Sequence, residues 1–144
     1  WVKEAIAAGA ECLGGAKALD DNCYAPTVLF NPPADAKVTT SEVFGPVVNV
    51  YPFDDVDNAL AAANSLPFAF QASVYSRELN AAMYVADKLD ATAVMINEHT
   101  AFRVDWMPFA GLKHSGLGTG GIPYTMEDMQ VEKMVVITSK GISA

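Results

Sequence analysis

Residues 71–97 have the sequence QASVYSRELNAAMYVADKLDATAVMIN, and this stretch decides the fold class. Its two ends, residues 71–76 and 93–97, are short and rich in apolar and β-branched side chains, which is typical of strands. The part between them, residues 77–90, repeats apolar side chains at helical spacing, namely Leu79, Ala82, Met83, Ala86 and Leu89. The continuous apolar character of residues 93–97 predicts a strand that is buried on both faces. A strand, a helix and a second strand in this order predict a right-handed crossover in an α/β fold.

The same alternation continues on both sides of this unit. We predict further helices at residues 2–8, from Val56 onward and at 124–129, and further strands at residues 10–13, 24–30, 47–53 and 134–138. Asp54 or Asp55 is placed to cap the helix that starts near Val56. We therefore predict an α/β fold with a mainly parallel sheet, flanking helices, a long glycine- and aromatic-rich loop and a C-terminal strand. With 144 residues, this forms one domain, 1–144.

Composition excludes several kinds of partner. The chain has nine Lys plus Arg residues and a net charge of -8, so we expect no nucleic-acid surface. No apolar run has the length that spans a bilayer, so we expect no membrane partner. Cys12 and Cys23 lack metal-ligand spacing and form no disulfide framework, which predicts thiols in a reducing compartment. Together with the lack of a secretory signal, this predicts a cytoplasmic location.

Helical and strand periodicity disappears between residues 98 and 121, which have the sequence EHTAFRVDWMPFAGLKHSGLGTGG. A loop of this length in a compact domain is usually functional or disordered, and its aromatic residues argue against disorder. Gly116, Gly118 and Gly121 match the dinucleotide fingerprint, but neither a buried strand before them nor an acid at the required distance after them is present. Tight turns and close packing explain these glycines better. His99 and His114 lack further ligands at suitable spacing, so we predict no metal site.

A second candidate segment is the sequence SEVFGPVV at residues 41–48. Gly45 and Pro46 form a turn dipeptide, and the valines after them suit a buried strand. Glu42 and Phe44 therefore lie at the rim of a loop, where side chains can face a ligand while the strand holds the backbone.

Two motifs together carry a family resemblance. The sequence EVFGP at residues 42–46, followed later by PFAGLKHSGLG at residues 108–118, resembles the C-terminal part of the aldehyde dehydrogenase superfamily. The similarity covers nearly the whole chain in order and spacing. Ala110 departs from the usual second glycine, and Thr119 and Gly120 replace the usual Arg and Glu. These departures leave the subfamily and the substrate open.

The resemblance implies roles for several residues. Glu42 would accept hydrogen bonds from the nicotinamide ribose of NAD or NADP, and Phe44 would pack beside the nicotinamide. The loop that contains Phe102, Arg103 and Phe109 would border the pocket of a small aldehyde. The closing strand, at about residues 131–138, would lie at a subunit interface and make the parent protein a homodimer or a dimer of dimers.

The same resemblance implies that part of the machinery lies elsewhere. In this family a cysteine thiolate attacks the aldehyde, a hydride passes to the nicotinamide, and a thioester is left for hydrolysis or acyl transfer. Neither Cys12 nor Cys23 matches that cysteine, so we predict no catalytic residue in this chain. The dinucleotide-binding domain would also lie outside it. Which aldehyde is oxidised, and whether the cofactor is NAD or NADP, stays open.

Arg103 gives a hypothesis about the substrate, because it is one of two arginines and has aromatic neighbours. A guanidinium binds planar anions through paired hydrogen bonds, so a small anionic aldehyde fits this position. An ion pair between Arg103 and Asp105 on the surface is the alternative.

Two functions from different classes remain from the sequence. The first is a part of a working NAD(P)-dependent aldehyde dehydrogenase. The second is a stand-alone, non-catalytic α/β module for association or ligand binding. The chain begins at Trp1, inside a predicted helix and without an initiator Met, so we expect it to belong to a longer polypeptide.

Overall fold

A computed structural model describes residues 1–138 of the chain. These residues divide into two compact units, the first of which is Trp1–Ala61 and the second of which begins at Ala62. Each unit combines short strands and helices, in keeping with the predicted α/β class.

The first unit contains a three-stranded sheet. Its elements are α1 (Val2–Ala7), β1 (Glu11–Gly14), β2 (Thr27–Phe30), α2 (Lys37–Thr40), β3 (Val47–Val50) and the greater part of α3 (Val56–Asn64). The strand order is β1-β2-β3, with β2 and β3 parallel as predicted. The prediction of a mainly parallel sheet is wrong for β1, which is antiparallel to β2. The connection between β1 and β2 contains no helix, and antiparallel neighbours need no crossover helix.

Leu29 of β2 is fully buried at the centre of the first unit. Val2 and Ala5 of α1, Ala10 and Val38 pack into the same hydrophobic cluster. Helix α1 and strand β2 each bury an apolar face in this cluster. This burial explains why such short elements are stable together.

The second unit is built around one parallel pair of strands. Its elements are β4 (Phe68–Ala69), β5 (Gln71–Val74), α4 (Leu79–Lys88), β6 (Ala93–Ile96), β7 (Leu112–Lys113) and α5 (Ile122–Asp128). Strands β5 and β6 pair in parallel and are joined through α4, as the sequence predicts. Strands β4 and β7 form a short antiparallel pair that the sequence did not predict.

Burial in the second unit is less complete than predicted. Ala82 of α4 and Met95 of β6 are buried, but the neighbouring residues of β6 are only half-buried. Leu79 and Met83, predicted to share the packed face of α4, are 70% and 54% exposed. The prediction that β6 is buried on both faces is therefore wrong within this unit. The reason is that a pair of strands packed against one helix has few side chains with which to cover a second face.

The predicted closing strand at residues 134–138 is not formed. In the described part of the chain, which ends at Thr138, the segment from Val131 pairs with no strand. Its apolar side chains are strongly exposed, namely Val131, Met134, Val135, Val136 and Ile137. A strand needs a neighbour for its backbone hydrogen bonds, and none of the described residues supplies one.

The helices of the described residues are short, the longest being the ten residues of α4. None of them has the length and apolar character that crossing a bilayer requires.

Candidate functional site

The loop that contains Glu42 and Phe44 connects α2 to β3 in the first unit. Its second half is held by two tight backbone contacts, from Gly45 N to Val43 O and from Val47 N to Gly45 O, each 2.8 Å. The carbonyl of Pro46 accepts a further bond from Thr27 N at 2.8 Å. The loop therefore enters β3 through a turn that is fastened to the neighbouring strand β2.

The other end of this loop is fastened through α2. Asn49 of β3 donates from Nδ2 to the carbonyl of Val38 at 2.6 Å. Thr39 donates to the carbonyl of Pro33 at 2.9 Å, so its Oγ1 accepts the hydroxyl of Tyr51 at 2.7 Å. With both of its ends tied to the sheet, the loop can hold side chains in fixed directions.

Glu42 and Phe44 use this fixed loop to face outward. Phe44 is 94% exposed, which is unusual for a phenylalanine next to a strand. Glu42 is exposed, and among residues 1–138 its carboxylate has neither a hydrogen-bond donor nor a cation beside it. An acid and an aromatic ring two residues apart, both without protein partners here, are available to a ligand that offers hydroxyl groups and a flat ring.

In the second unit, the segment of residues 98–121 begins at a fixed point. Asn97, with φ of 57°, ends β6. Its side chain accepts from Ser76 N and donates to Ser76 O, both at 2.9 Å. Beyond it, Glu98 accepts the backbone N–H of His99 at 2.9 Å, and His99 Nδ1 accepts that of Ala101 at 3.1 Å. These bonds turn the chain directly after the strand.

Arg103 and Phe109 lie together in this segment. The guanidinium carbon of Arg103 is 4.2 Å from the centroid of the Phe109 ring. Phe70 packs its ring edge-on against Phe109, with centroids 4.9 Å apart and planes at 89°. Phe109 and Gly120 exchange backbone hydrogen bonds at 3.0 and 2.8 Å, which fixes the backbone beneath the ring. The ring thus has a fixed orientation, and it presents a face to a cation.

The alternative interpretation of Arg103, a surface ion pair with Asp105, does not describe this structure. The ion pairs within residues 1–138 do not include these two residues. Both residues instead line one open cleft of about 480 Å³, together with Gly121, Ile122, Thr125, Met126 and Met129.

Phe102 is separated from that cleft. It lines a second cleft of about 420 Å³ with Ala93, Val94, Met95, Glu98 and Met107. The structure therefore brings Arg103 and Phe109 together and places Phe102 in different surroundings. Glu42 and Phe44 belong to the first unit, and these three residues belong to the second.

The glycines of residues 116–121 have local structural roles. Gly121 has φ of 114°, and a Cβ atom there would lie 2.5 Å from the carbonyl oxygen of Met107. Gly118 also has a positive φ, of 75°. The strand before them, β7, has two residues, both exposed, so the buried strand that a dinucleotide fingerprint requires does not precede them.

One residue with a clear structural role was missed by sequence reasoning. Lys113 has φ of 55°, and its ammonium group lies 2.8 Å from a carboxylate oxygen of Asp90. Asp90 lies far from Lys113 in the sequence, and no periodic pattern connects a lysine in a loop to an acid after a helix. No signal in the sequence could have identified the pair.

No metal centre is formed by the described residues, since they include no cluster of three or more His, Cys, Asp and Glu side chains that could hold an ion. His114 instead packs edge-on against Phe68, with ring centroids 6.2 Å apart. His99 Nε2 lies 3.4 Å from the carboxylate of Glu98.

Comparisons with a family model, with curated proteins and with solved structures all identify the same family. The model of the aldehyde dehydrogenase family matches residues 1–135. A 3-sulfolactaldehyde dehydrogenase from Priestia aryabhattai is 38% identical over 95% of this chain and 28% of its own length.

Solved structures give the same result. Aldehyde dehydrogenase 21 from Physcomitrella patens, in complex with the reaction product succinate, has 36% identity and a TM-score of 0.85 over 90% of this chain and 27% of its own. A glyceraldehyde-3-phosphate dehydrogenase from Methanocaldococcus jannaschii, complexed with NADP, has 33% identity and a TM-score of 0.82 over 89% of this chain and 27% of its own.

This chain therefore spans 28% of the length of the Priestia relative, and that span contains both motifs described above. The family model covers nearly all of the chain, and the solved relatives share its fold. The chain belongs to the aldehyde dehydrogenase family.

Proposed function

We propose that this chain works within an NAD(P)-dependent aldehyde dehydrogenase, which oxidises an aldehyde to the acid through a cysteine thioester. In this proposal the chain supplies the carboxylate that holds the nicotinamide ribose, part of the aldehyde pocket and a subunit interface. The observation that carries it is the fixed loop in which Phe44 is 94% exposed beside the unpartnered Glu42, within a chain matched by the family over residues 1–135. The NADP complex of the Methanocaldococcus relative supports the same reaction class.

The residues of this loop fit a nicotinamide nucleotide. The Glu42 carboxylate has two acceptor oxygens for the adjacent hydroxyls of a ribose, and no protein donor among residues 1–138 competes for them. Hydrogen bonds to a charged acceptor are stronger than neutral ones, so Glu42 would anchor the sugar firmly. The exposed ring of Phe44 would restrict the neighbouring ring of the cofactor by packing against it. When bound, the nicotinamide would supply the hydride acceptor.

The cleft of the second unit supports a small anionic aldehyde as the substrate. Phe109 orients Arg103 from below, and none of the described residues accepts a hydrogen bond from the guanidinium. A planar anion can then accept hydrogen bonds from two N–H groups of the Arg103 guanidinium at once. Asp105 lines the same cleft and lowers the positive potential there. Recognition of the anion would therefore depend on paired hydrogen bonds from Arg103 more than on the overall charge of the cleft. The names of two relatives, with 3-sulfolactaldehyde as substrate and succinate as product, agree with an anionic group.

The segment from Val131 to Thr138 supports an oligomer. Its apolar side chains are strongly exposed and its backbone is unpaired within the described residues, so a second copy could extend a sheet through it. A homodimer or a dimer of dimers would follow from such self-pairing. Both cysteines are free thiols, which suits a cytoplasmic, reducing compartment.

The function is tested with the full-length protein that contains this chain. Purified protein is mixed with NAD or NADP and with succinic semialdehyde, 3-sulfolactaldehyde or propanal, and formation of the reduced cofactor is followed by absorbance. We expect reduction with at least one cofactor and faster reaction with the anionic aldehydes. If no aldehyde reduces either cofactor, the enzyme proposal is wrong and the non-catalytic module is supported. A Gly-Gln-x-Cys segment encoded upstream would support the enzyme independently.

A further inference from the structure

Lys113 connects distant parts of the second unit through its side chain. Its ammonium group donates to the carbonyl of Asn64 at 2.8 Å and to that of Leu66 at 3.2 Å, and it pairs with Asp90 at 2.8 Å. An ammonium group has three donors, and here each has an acceptor. The Lys113 side chain is 32% exposed, so these contacts are partly sheltered from water.

Asn64 extends these contacts into a network. Its Nδ2 donates to the carbonyl of Lys88 at 2.7 Å, and its Oδ1 accepts the backbone N–H of Asp90 at 2.9 Å. The side chains of Asn64, Asp90 and Lys113, which we call the Lys113 network, thus join the ends of α3 and α4 to β7.

The residues after Lys113 are also hydrogen-bonded to the chain that follows α3. His114 N donates to the carbonyl of Pro67 at 2.9 Å, and Ala69 N donates to the Ser115 hydroxyl at 3.0 Å. Lys113 itself has φ of 55°, a conformation that is strained for a residue other than glycine. A strained residue with several fixed contacts marks a point at which the backbone has little freedom to shift.

This fixed point lies within the segment of residues 98–121, on the carboxyl-terminal side of Arg103 and Phe109. The start of the segment is fixed where Asn97 bonds to Ser76. Lys113 is four residues beyond Phe109, whose ring carries the guanidinium of Arg103. The backbone pair of Phe109 and Gly120 holds the same segment. Loss of the Lys113 contacts would remove one of these attachments, so Arg103 and Phe109 would be held less firmly.

We propose that Lys113 is a positioning residue that sets aldehyde selectivity by holding Phe109 and Arg103 in place. This inference rests on the proposed function, because selectivity presupposes the oxidation of an anionic aldehyde. Lys113 acts through the segment and does not contact the substrate. Asp90 and Asn64 are required because they place the acceptors that the ammonium group uses.

The test uses the full-length protein and the substitutions Lys113→Met, Lys113→Arg and Asp90→Asn, with Lys3→Met as a control on an exposed lysine. Hydrogen exchange is measured at the amides of Phe109 and Gly120, which are paired with each other. Kinetics compare succinic semialdehyde with propanal at saturating cofactor, and the KM of the cofactor is measured separately.

Lys113→Met should speed exchange at both amides and lower the preference for the anionic aldehyde by about tenfold, while the KM of the cofactor changes less than about twofold. Asp90→Asn should give a smaller change in the same direction, and Lys113→Arg, which keeps the charge, should restore most of the preference. Unchanged exchange would overturn the proposal. Equal losses for both aldehydes and for the cofactor would also overturn it, because they would show a general structural role.

The proposed function fails separately from this inference. If the unaltered protein reduced no cofactor, the enzyme proposal would be refuted. The exchange rates of Lys113→Met would still decide whether Lys113 holds the segment.

Discussion

The guanidinium of Arg103 lies over the ring of Phe109, with 4.2 Å between its carbon and the ring centroid. The face of an aromatic ring attracts a cation, and the ring is itself fixed by its edge-on contact with Phe70. None of the described residues accepts a hydrogen bond from the guanidinium, so the contact with Phe109 positions the charge without using its N–H groups. The N–H groups of the Arg103 guanidinium are therefore available to bind an anion.

Arg103→Ala in the full-length protein should lower kcat/KM for succinic semialdehyde and leave kcat/KM for propanal nearly unchanged, if the proposed function holds. Paired hydrogen bonds to a charged group contribute about 1.5 to 3 kcal/mol, so we expect a loss of about tenfold to a hundredfold. Steady-state kinetics with both aldehydes measure it. Arg77→Ala is the matched control, since Arg77 is the other arginine and is also exposed. Equal losses for the two aldehydes would contradict recognition of the anion.

Glu42→Gln should weaken the hold on the cofactor. The substitution keeps the shape of the side chain and removes its charge, so hydrogen bonds from ribose hydroxyls become weaker and the nicotinamide is held less precisely. We expect a rise in the KM of the cofactor, a lower turnover number, or both, by about tenfold. Glu11→Gln, at an exposed acid of the same unit, is the control. If neither parameter changed, Glu42 would have no role at the ribose.

Gly15→Ala should destabilise the first unit strongly. Gly15 has φ of 83°, and an added Cβ atom would lie 2.1 Å from the carbonyl oxygen of Pro26 and 2.7 Å from the hydroxyl of the buried Thr27. Backbone strain and the clash together should cost at least about 3 kcal/mol. Denaturant unfolding of the full-length protein measures the loss. The neighbouring Gly14→Ala meets open space, so its free energy of unfolding should change by less than about 1 kcal/mol.

Periodic patterns in the sequence predicted most of this fold. The α4 crossover between β5 and β6 was predicted from apolar spacing. Of the spaced residues, Ala82 is buried, whereas Leu79 and Met83 are mostly exposed. The helix α3 was predicted with its cap, and Asp55 Oδ1 does accept the backbone N–H of Asn58 at 2.8 Å. These features depend on residues close together in the chain, which is where a single sequence carries information.

Long-range pairings were not predictable in the same way. The pairing of β4 with β7 joins Phe68 to Lys113, and nothing in either two-residue stretch indicates a strand. The stacking of Arg103 on Phe109 also depends on how an irregular loop turns back. The sequence indicated that this loop carries the candidate site, and it could not show that Phe102 faces a different cleft. Contacts of this kind are set by tertiary packing and leave no periodic signal.

Removal of all residues from Met134 onward should convert the full-length protein to a smaller assembly. Met134, Val135, Val136 and Ile137 are 89%, 70%, 79% and 86% exposed, and a run of apolar residues with an unpaired backbone invites pairing with another chain. Loss of that pairing should lower the mass measured by light scattering to that of a dimer or a monomer. A variant that ends at Thr138 keeps the apolar run and should keep the native mass, which separates loss of this run from shortening of the chain. If the protein cut before Met134 retained its native mass, this segment would not be the subunit interface, and its apolar residues would have to pack within their own subunit.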